Sequence, residues 1–279
     1  SAHICAQQFA DLVKKSGLEP KALKLALLPV AASFGHTPLS KFHVGAVVEG
    51  QSGNIYLGAN MEFTGVQLGQ TIHAEQSAIS HAWMHGETGI TDITINYTPC
   101  GHCRQFMNEL VTAKALKIQL PDRDAMSLDV LLPESFGPSD LNIKERLMDQ
   151  HRLNCSLDGV SADISMAIEA LNQSHAPYTN NYAGVTLRTR DGWIAQGSYA
   201  ENAAYNPSLP PLQVALNMVR LSGYEFNEIT HAALAEAAKA PISHLAETQA
   251  TLEMINPDIP LEYVSLSKAH QAEDAVTLD

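Results

Sequence analysis

Two short stretches of this chain contain residue types that can bind a metal ion and move a proton. The stretch QTIHAEQSAISHAW holds His73 and Glu75, which its apolar spacing places in the first turn of a half-buried helix. The stretch TPCGHC holds Cys100 and Cys103 at a predicted loop-to-helix junction, where backbone N–H groups stabilise thiolates. Imidazole nitrogen and thiolate sulfur are preferred zinc ligands, so the sequence predicts a zinc site built from His73, Cys100 and Cys103.

Three protein ligands are typical of a catalytic zinc site, whose fourth position takes water, whereas structural sites are closed by four. Glu75 is the candidate proton carrier, because zinc lowers the pKa of bound water to about 7. A structural site is the weaker alternative, since His102 is hard to aim at the same ion from between the cysteines. A redox C-x-x-C motif is another alternative, but it leaves His73 and Glu75 unexplained.

An internal duplication provides a control within the chain. Four residues recur 139 positions later: Pro38, Gly45, Gly58 and Glu62 reappear as Pro177, Gly184, Gly197 and Glu201. At the same offset, the site residues His73, Glu75, Cys100 and Cys103 are replaced by Leu212, Val214, Lys239 and Ile242. The second copy therefore keeps the scaffold without the suspected site. The fold does not require the four residues of the first copy, so their presence there indicates a chemical role.

Strands that alternate with helices predict an α/β fold with crossover connections. We expect tandem duplicated three-layer α-β-α domains with a mixed central sheet, after a short helical N-terminal segment. The predicted boundaries are 1–18 for the helical segment, 19–139 for the zinc-bearing domain, 140–157 for a linker and 158–279 for the metal-free copy.

Composition excludes several classes of function. The 279 residues are 45% hydrophobic and carry a net charge of −13, which argues against nucleic-acid binding. No apolar run approaches the length of a membrane span, and no secretory signal is visible. Four cysteines are too few for a disulfide scaffold of this length, so we expect a reducing, cytoplasmic setting.

The metal-ligand pattern resembles a known signature. An H-A-E triplet followed by P-C-x-x-C is similar to the signature of the zinc-dependent nucleobase deaminases. The stretches FHVGA, NME, HAEQSAI and TPCGHCRQF narrow this resemblance to the cytidine deaminases. A metal-bearing copy followed by a metal-free one resembles the larger, homodimeric form of that family, and the similarity extends from about residue 18 to the C-terminus.

The resemblance implies an activity and a cofactor. The expected reaction is hydrolytic deamination of cytidine, and of 2′-deoxycytidine, to uridine and ammonia in pyrimidine salvage. The expected cofactor is one zinc ion per subunit, with Glu75 carrying the proton of the activated water to ring N3 and then to the departing amine. The expected partners are a small nucleoside and a second copy of the chain, with no nucleic acid and no membrane.

The resemblance also implies the substrate-binding residues. These are Phe42 near the pyrimidine, Asn60, Met61 and Glu62 at the ribose, the backbone of Ala74 at the base edge, and Phe136 completing the pocket of the neighbouring subunit. A structural role for Glu62 stays open, because Glu201 persists in the copy without metal ligands.

Three alternatives to a nucleoside deaminase stay open. A nucleotide substrate would require Lys or Arg near the sugar, where this sequence offers the acid Glu62. A deaminase of single-stranded polynucleotides would require a basic channel with interleaved aromatic residues, and none is visible. The third alternative is a non-catalytic binding module that zinc stabilises.

Overall fold

A computed structural model describes residues 2–267 of the chain. Ser1 and the last residues of the predicted second domain, 268–279, lie outside this range. The elements of the first half are β1 (His3–Ile4), α1 (Ala6–Ser16), α2 (Pro20–Ala32), β2 (Gly45–Gly50), β3 (Ile55–Ala59), α3 (Ala74–Met84), β4 (Ile90–Ile95), α4 (Gly101–Met107), β5 (Lys117–Gln119), β6 (Met126–Ser127) and α5 (Leu128–Leu131).

The second half repeats the main elements of the first. Its elements are α6 (Ala162–Asn172), β7 (Ala183–Thr189), β8 (Ile194–Ser198), α7 (Pro211–Leu221), β9 (Ile229–Ala237), α8 (Leu245–Ile255) and β10 (Leu261–Leu266). The first sheet has the strand order β1-β3-β2-β4-β5-β6, and the second has the order β10-β9-β7-β8. Both sheets are mixed, because β4 pairs in parallel with β5 and β9 with β10, while the central strands are antiparallel.

Two glycines let helices approach both faces of the first sheet. Gly45 and Gly58 lie on opposite faces, since Gly45 pairs with Ala59 and Gly58 with Ala46. A Cβ atom on Gly45 would lie 2.4 Å from the carbonyl oxygen of Leu28 in α2, and one on Gly58 would lie 2.2 Å from the backbone nitrogen of Ala78 in α3. Helix α2 therefore covers one face and α3 the other, which confirms the three-layer prediction.

The duplication is confirmed in the strand registers. The bounds of β3 and β8 differ by 139 positions at both ends. Ala46 pairs with Ile95 in the first sheet, and the equivalent Val185 pairs with Leu234 in the second. A register shift also falls at equivalent positions of the two sheets, between Glu49 and Gly50 and between Arg188 and Thr189.

The two halves pack together along α3 and α7. The Ser77 hydroxyl of α3 donates to Oδ1 of Asn217 in α7 over 2.5 Å, and Nδ2 of Asn217 donates to the Ser77 carbonyl over 2.9 Å. Every residue from Ala74 to Trp83 is buried. The prediction of a half-buried helix was therefore wrong, because α7 covers the face of α3 that would otherwise meet water.

The predicted domain boundaries stay a prediction. Residues 121–157 contain the short elements β6 and α5 and a 3-10 helix at Pro138–Leu141. No helix among the described residues is both long and apolar enough to cross a lipid bilayer.

Candidate metal centre and active site

His73 is the residue before α3 rather than part of its first turn. Its backbone is extended, with φ −82° and ψ 155°, and the helix begins at Ala74. The side chain of Gln76 accepts a hydrogen bond from the His73 backbone nitrogen over 3.1 Å, as in a capping box. The H-x-x-Q spacing signals this cap, which the sequence analysis missed. This hydrogen bond thus fixes the backbone conformation at His73 and with it the orientation of the ring.

Cys100 occupies the same position before α4. Its sulfur accepts a hydrogen bond from the backbone nitrogen of Cys103 over 3.4 Å, so the first turn of the helix contacts the Cys100 sulfur. Arg104 holds the preceding loop, because its Nε donates to the carbonyl of Pro99 over 2.8 Å. Helix α4 ends at Met107.

The structure brings the three predicted ligands together. Nδ1 of His73 lies 3.4 Å from Sγ of Cys100 and 3.2 Å from Sγ of Cys103. All three donor atoms lie within 4.8 Å of one another. Donors bound to a tetrahedral zinc ion at about 2.0–2.3 Å are separated by about 3.3–3.8 Å. The residues therefore fit a zinc ion in both chemistry and spacing.

The electrostatics favour one thiolate at this site. Hydrogen bonds from the Cys103 thiol and from His73 lower the pKa of Cys100 to about 3. The same pairing with Cys100, followed by burial, raises the pKa of Cys103 well above its ordinary value. The site thus presents one ionised sulfur to a cation, and a bound divalent ion would favour the second.

Glu75 is a buried carboxyl beside these donors. Only 4% of its surface is exposed, and its Oε2 accepts a hydrogen bond from the Cys103 thiol over 3.3 Å. Burial raises the pKa of Glu75, and the hydrogen bonds from its own backbone N–H and from Cys103 offset only part of that rise. Glu75 does not belong to the group of metal-ligand atoms, so its carboxyl can exchange a proton beside the metal position.

His102 does not support a closed structural site. Its ring stacks on that of His73 with centroids 5.2 Å apart, and its Nε2 lies 3.3 Å from Nε2 of Gln76. Within residues 2–267, the only group of donors that could hold a metal ion comprises His73, Cys100 and Cys103. His102 therefore packs beside the ligand group without joining it.

The carboxylate of Glu62 is held by its own half of the chain. It accepts hydrogen bonds from the Leu39 nitrogen over 2.8 Å and the Ser40 nitrogen over 2.9 Å, and a further one from the Ser40 hydroxyl. Burial alone would raise the pKa of Glu62, but these hydrogen bonds bring it below its ordinary value. Glu62 is therefore ionised and fixed in place, and Ser40 is a partner that the sequence analysis missed.

Asn60 and Met61 connect this carboxylate to the metal ligands. The amide of Asn60 accepts from the Val44 nitrogen over 3.0 Å and donates to the Phe42 carbonyl over 2.8 Å. Met61 is fully buried and pairs with Ile72, the residue before His73. The NME triplet thus lies beside the strand-like segment that leads into the metal site, and Ala74 follows as the first residue of α3.

The predicted aromatic residues are exposed. Phe42 is 49% exposed and its ring lies 4.6 Å from that of Tyr97, centroid to centroid. Phe136 is 46% exposed, and its carbonyl oxygen accepts from Gln105 over 2.8 Å and from Asn108 over 3.0 Å. These contacts place Phe136 beside α4, the helix that carries Cys103.

The fold and the donor group define a two-copy α/β protein whose described part holds one zinc-type site with a buried acid next to it. Residues 20–118 and 128–249 each match the family described as the cytidine and deoxycytidylate deaminase zinc-binding region. The chain therefore belongs to this zinc-dependent enzyme family.

Curated relatives match nearly the whole chain. A cytidine deaminase of Vibrio cholerae is 60% identical over 265 residues, which cover 95% of this chain and 90% of the relative. A cytidine deaminase of Photobacterium profundum is 57% identical over 264 residues, with the same coverage. Among solved structures, cytidine deaminase from Mycobacterium tuberculosis is 29% identical with a TM-score of 0.38, covering 42% of this chain and 96% of that one.

Proposed function

We propose that this protein hydrolyses the exocyclic amine of cytidine, and of 2′-deoxycytidine, to give uridine and ammonia. The observation that carries the proposal is the buried Glu75 carboxyl beside the His73, Cys100 and Cys103 donors. The family and the names of the relatives support the choice of cytidine as the substrate.

The chain's own residues divide the work of the reaction. His73, Cys100 and Cys103 would hold the zinc ion. When bound, zinc supplies an acidified water as the nucleophile for C4 of the ring. Glu75 would accept one proton from the attacking water and deliver it to ring N3. It would then take the second proton from the hydroxyl added at C4 and deliver it to the amine nitrogen, which leaves as ammonia when the C4–N bond breaks. Burial raises the pKa of Glu75, which favours a carboxyl that both accepts and donates a proton.

The second copy supports a ribose-binding role for Glu62. Its equivalent, Glu201, accepts from the backbone nitrogens of Tyr178 and Thr179 as Glu62 does from Leu39 and Ser40. Glu201 also accepts the phenol of Tyr199 over 3.1 Å.

Tyr199 stands at the position of Asn60, whose amide is directed to backbone groups instead. Glu201 therefore accepts a second hydroxyl of its own chain besides that of Thr179, whereas Glu62 accepts the Ser40 hydroxyl and would take its second one from a nucleoside. The backbone of Ala74 would read the base edge, and Phe42 would pack near the pyrimidine.

Glu75→Gln tests the chemistry. This variant should keep one zinc ion per chain and lose at least about 100-fold in turnover, because the amide cannot carry the proton. Ultraviolet absorbance of cytidine follows turnover, and elemental analysis follows zinc. Glu87→Gln is the matched control, since Glu87 is also a buried acid of this half but contacts Tyr56 and Ser52 instead of the donors.

Parallel assays with dCMP and a single-stranded oligonucleotide test the alternatives. Turnover of either one without turnover of cytidine would contradict the nucleoside substrate. Zinc binding without turnover of any of the three would favour the binding module instead. A Glu75→Gln variant that stays active would remove Glu75 as the proton carrier.

The proposal includes a homodimer that acts in cytoplasmic pyrimidine salvage. The exposed rings of Phe42, Tyr97 and Phe136 support it, because a second copy would cover them. All four cysteines lie within the described residues and none is paired in a disulfide, which fits a reducing compartment. Gel filtration with activity assays tests the dimer, and a fully active monomer would contradict a shared pocket built with Phe136.

A further inference from the structure

The metal-free half contacts the segments on both sides of the zinc-type site. Before His73, Gln70 donates to the Glu247 carboxylate of α8 over 2.7 Å and accepts a hydrogen bond from Gln213 of α7. After Cys103, the carbonyl of Gln105 in α4 accepts from the Asn202 amide over 3.1 Å. The second half is therefore bound to both chain segments that deliver metal ligands.

The strongest of these contacts is the buried carboxylate of Glu109. This side chain is only 1% exposed, and its three donors all come from the second half of the chain. Its Oε2 accepts from Nε2 of His175 over 2.8 Å and from the Tyr178 phenol over 2.6 Å, while Oε1 accepts from the Ala203 nitrogen over 3.0 Å. A buried carboxylate is costly unless its oxygens are bound, so this junction depends on both halves.

Glu109 is connected to the metal ligands through a short, closed turn. Its backbone nitrogen donates to the carbonyl of Phe106, and Asn108 donates to the carbonyl of Arg104. Both acceptors belong to α4, which begins between the two cysteines. Because these hydrogen bonds hold the turn against α4, a displacement of Glu109 would also move the helix that carries Cys103.

The pseudosymmetric contact lacks this carboxylate. The residue equivalent to His175 is His36, because His175 pairs with Ala200 as His36 pairs with Met61. No acid of α8 lines the space beside His36. Near His36, the corresponding face of α8 borders a groove of about 260 Å³, lined among others by Phe63, Phe226 and Thr251. The duplicated fold therefore does not need the Glu109 junction, which occurs only where the helix carries metal ligands.

We propose that Glu109 is a positioning residue that anchors α4 to the metal-free half and so holds Cys100 and Cys103 where His73 meets them. The second half then acts on the site through this junction, although its residues up to 267 include no group of metal ligands. This inference rests on the zinc site of the proposed function and not on its substrate, so its test uses no nucleoside.

The experiment measures how fast a chelator removes zinc from the full-length protein. Glu109→Gln should release zinc roughly 10-fold faster than the wild type, because the amide has one accepting oxygen for the three donors that the carboxylate binds, and the turn would shift. Tyr178→Phe removes one hydroxyl, keeps the ring and should give a smaller increase. In the double variant the two effects should not add, since both act through one junction.

A matched pair controls for loss of stability. Glu87 also accepts a phenol, from Tyr56 over 2.9 Å, but it touches neither α4 nor the second half. Glu87→Gln and Tyr56→Phe should lower the midpoint of thermal unfolding without changing zinc release. Zinc release from Glu109→Gln at the wild-type rate, or equally fast release from Glu87→Gln, would overturn the proposal. Additive effects of Glu109→Gln and Tyr178→Phe would overturn it as well.

Discussion

Glu62 and Glu201 are a natural pair for separating structure from substrate binding. Each carboxylate accepts two backbone N–H groups and a hydroxyl from the residues 22 and 23 positions before it. Only Glu62 belongs to the copy that carries the metal ligands. Replacing each acid by its amide therefore weakens the same three internal hydrogen bonds in both copies, and in the second copy the Tyr199 hydrogen bond as well. Only the change at Glu62 affects the proposed ribose contact.

Glu62→Gln should raise the KM for cytidine more than it lowers kcat. A hydrogen bond to a charged group contributes about 1.5–3 kcal/mol, so kcat/KM should fall roughly 10- to 100-fold. Steady-state kinetics with cytidine measure this split between KM and kcat.

Glu201→Gln is the control for that measurement, because it should cost similar stability and leave KM unchanged. An unchanged KM in Glu62→Gln, or an equal rise in both variants, would assign Glu62 a structural role only.

The metal ligands could be predicted because residue type and spacing along the chain indicate zinc binding directly. His73, Cys100 and Cys103 are the residues that the structure brings together. Ser40 could not be predicted as a partner of Glu62, since an internal hydrogen bond over 22 positions depends on how the loop before β2 folds back. Long-range contacts of this kind carry no local signal in the sequence.

At the scale of elements, the periodicity of the sequence predicted the strands and the order of the helices. It did not predict how completely each helix is buried. The apolar residues of α3 predicted one buried face, whereas its polar residues Gln76, Ser77 and Ser80 are buried as well. Their partners include Asn217 of α7, so burial of the polar face depends on packing between the two halves. A pattern within one helix cannot report a second helix more than a hundred positions away.

Gly58→Ala should disturb the metal site through α3. The new Cβ would lie 2.2 Å from the backbone nitrogen of Ala78, so the helix must move away from β3. Overpacking of this kind costs about 1–3 kcal/mol of unfolding free energy. Because His73 leads directly into α3, zinc release to a chelator should also become faster.

Gly197→Ala is the matched control in the second half. Its Cβ would lie 2.2 Å from the carbonyl oxygen of Pro211 and 2.4 Å from the nitrogen of Ala215, both in α7. Urea unfolding should report a similar loss of stability for the two variants, with the larger change in zinc release for Gly58→Ala. Equal zinc release in both would mean that the position of α3 on its sheet does not govern the site.

At the scale of the whole molecule, one scaffold serves two purposes. The second copy keeps the strand registers, the glycines and the counterpart of Glu62. Leu209 pairs with Ala200 as Ile72 pairs with Met61, so Pro210 and Leu212, rather than the predicted Leu212 and Val214, stand at the positions of His73 and Glu75 in the second copy. Its conserved geometry is used for packing against α3 and for binding the segments around the metal ligands. The second copy, which lacks the metal ligands of the first, therefore serves as a structural support for it.

Buried histidines in both halves should make the fold sensitive to acid. Burial, with a smaller contribution from the charge of His85, lowers the pKa of His81 to about 3. Burial likewise lowers the pKa of His244 to about 4, against the opposing charge of Glu236. Both groups bind a proton more readily when unfolded, so their stabilising contribution is complete above pH 6.5 and is lost as the pH falls toward these values.

His81→Gln should reduce this acid sensitivity. The amide can still donate to the Leu57 carbonyl, which His81 Nδ1 meets at 2.9 Å, but it takes up no proton on unfolding. Between pH 6 and 4, the free energy of unfolding should therefore fall less steeply in the variant, by about 1.4 kcal/mol per pH unit. Urea unfolding across this range measures both slopes, and the pH dependence of zinc binding is common to both proteins and cancels in the difference. His231→Gln, at an exposed position, is the control, and parallel curves for His81→Gln and the wild type would contradict the prediction.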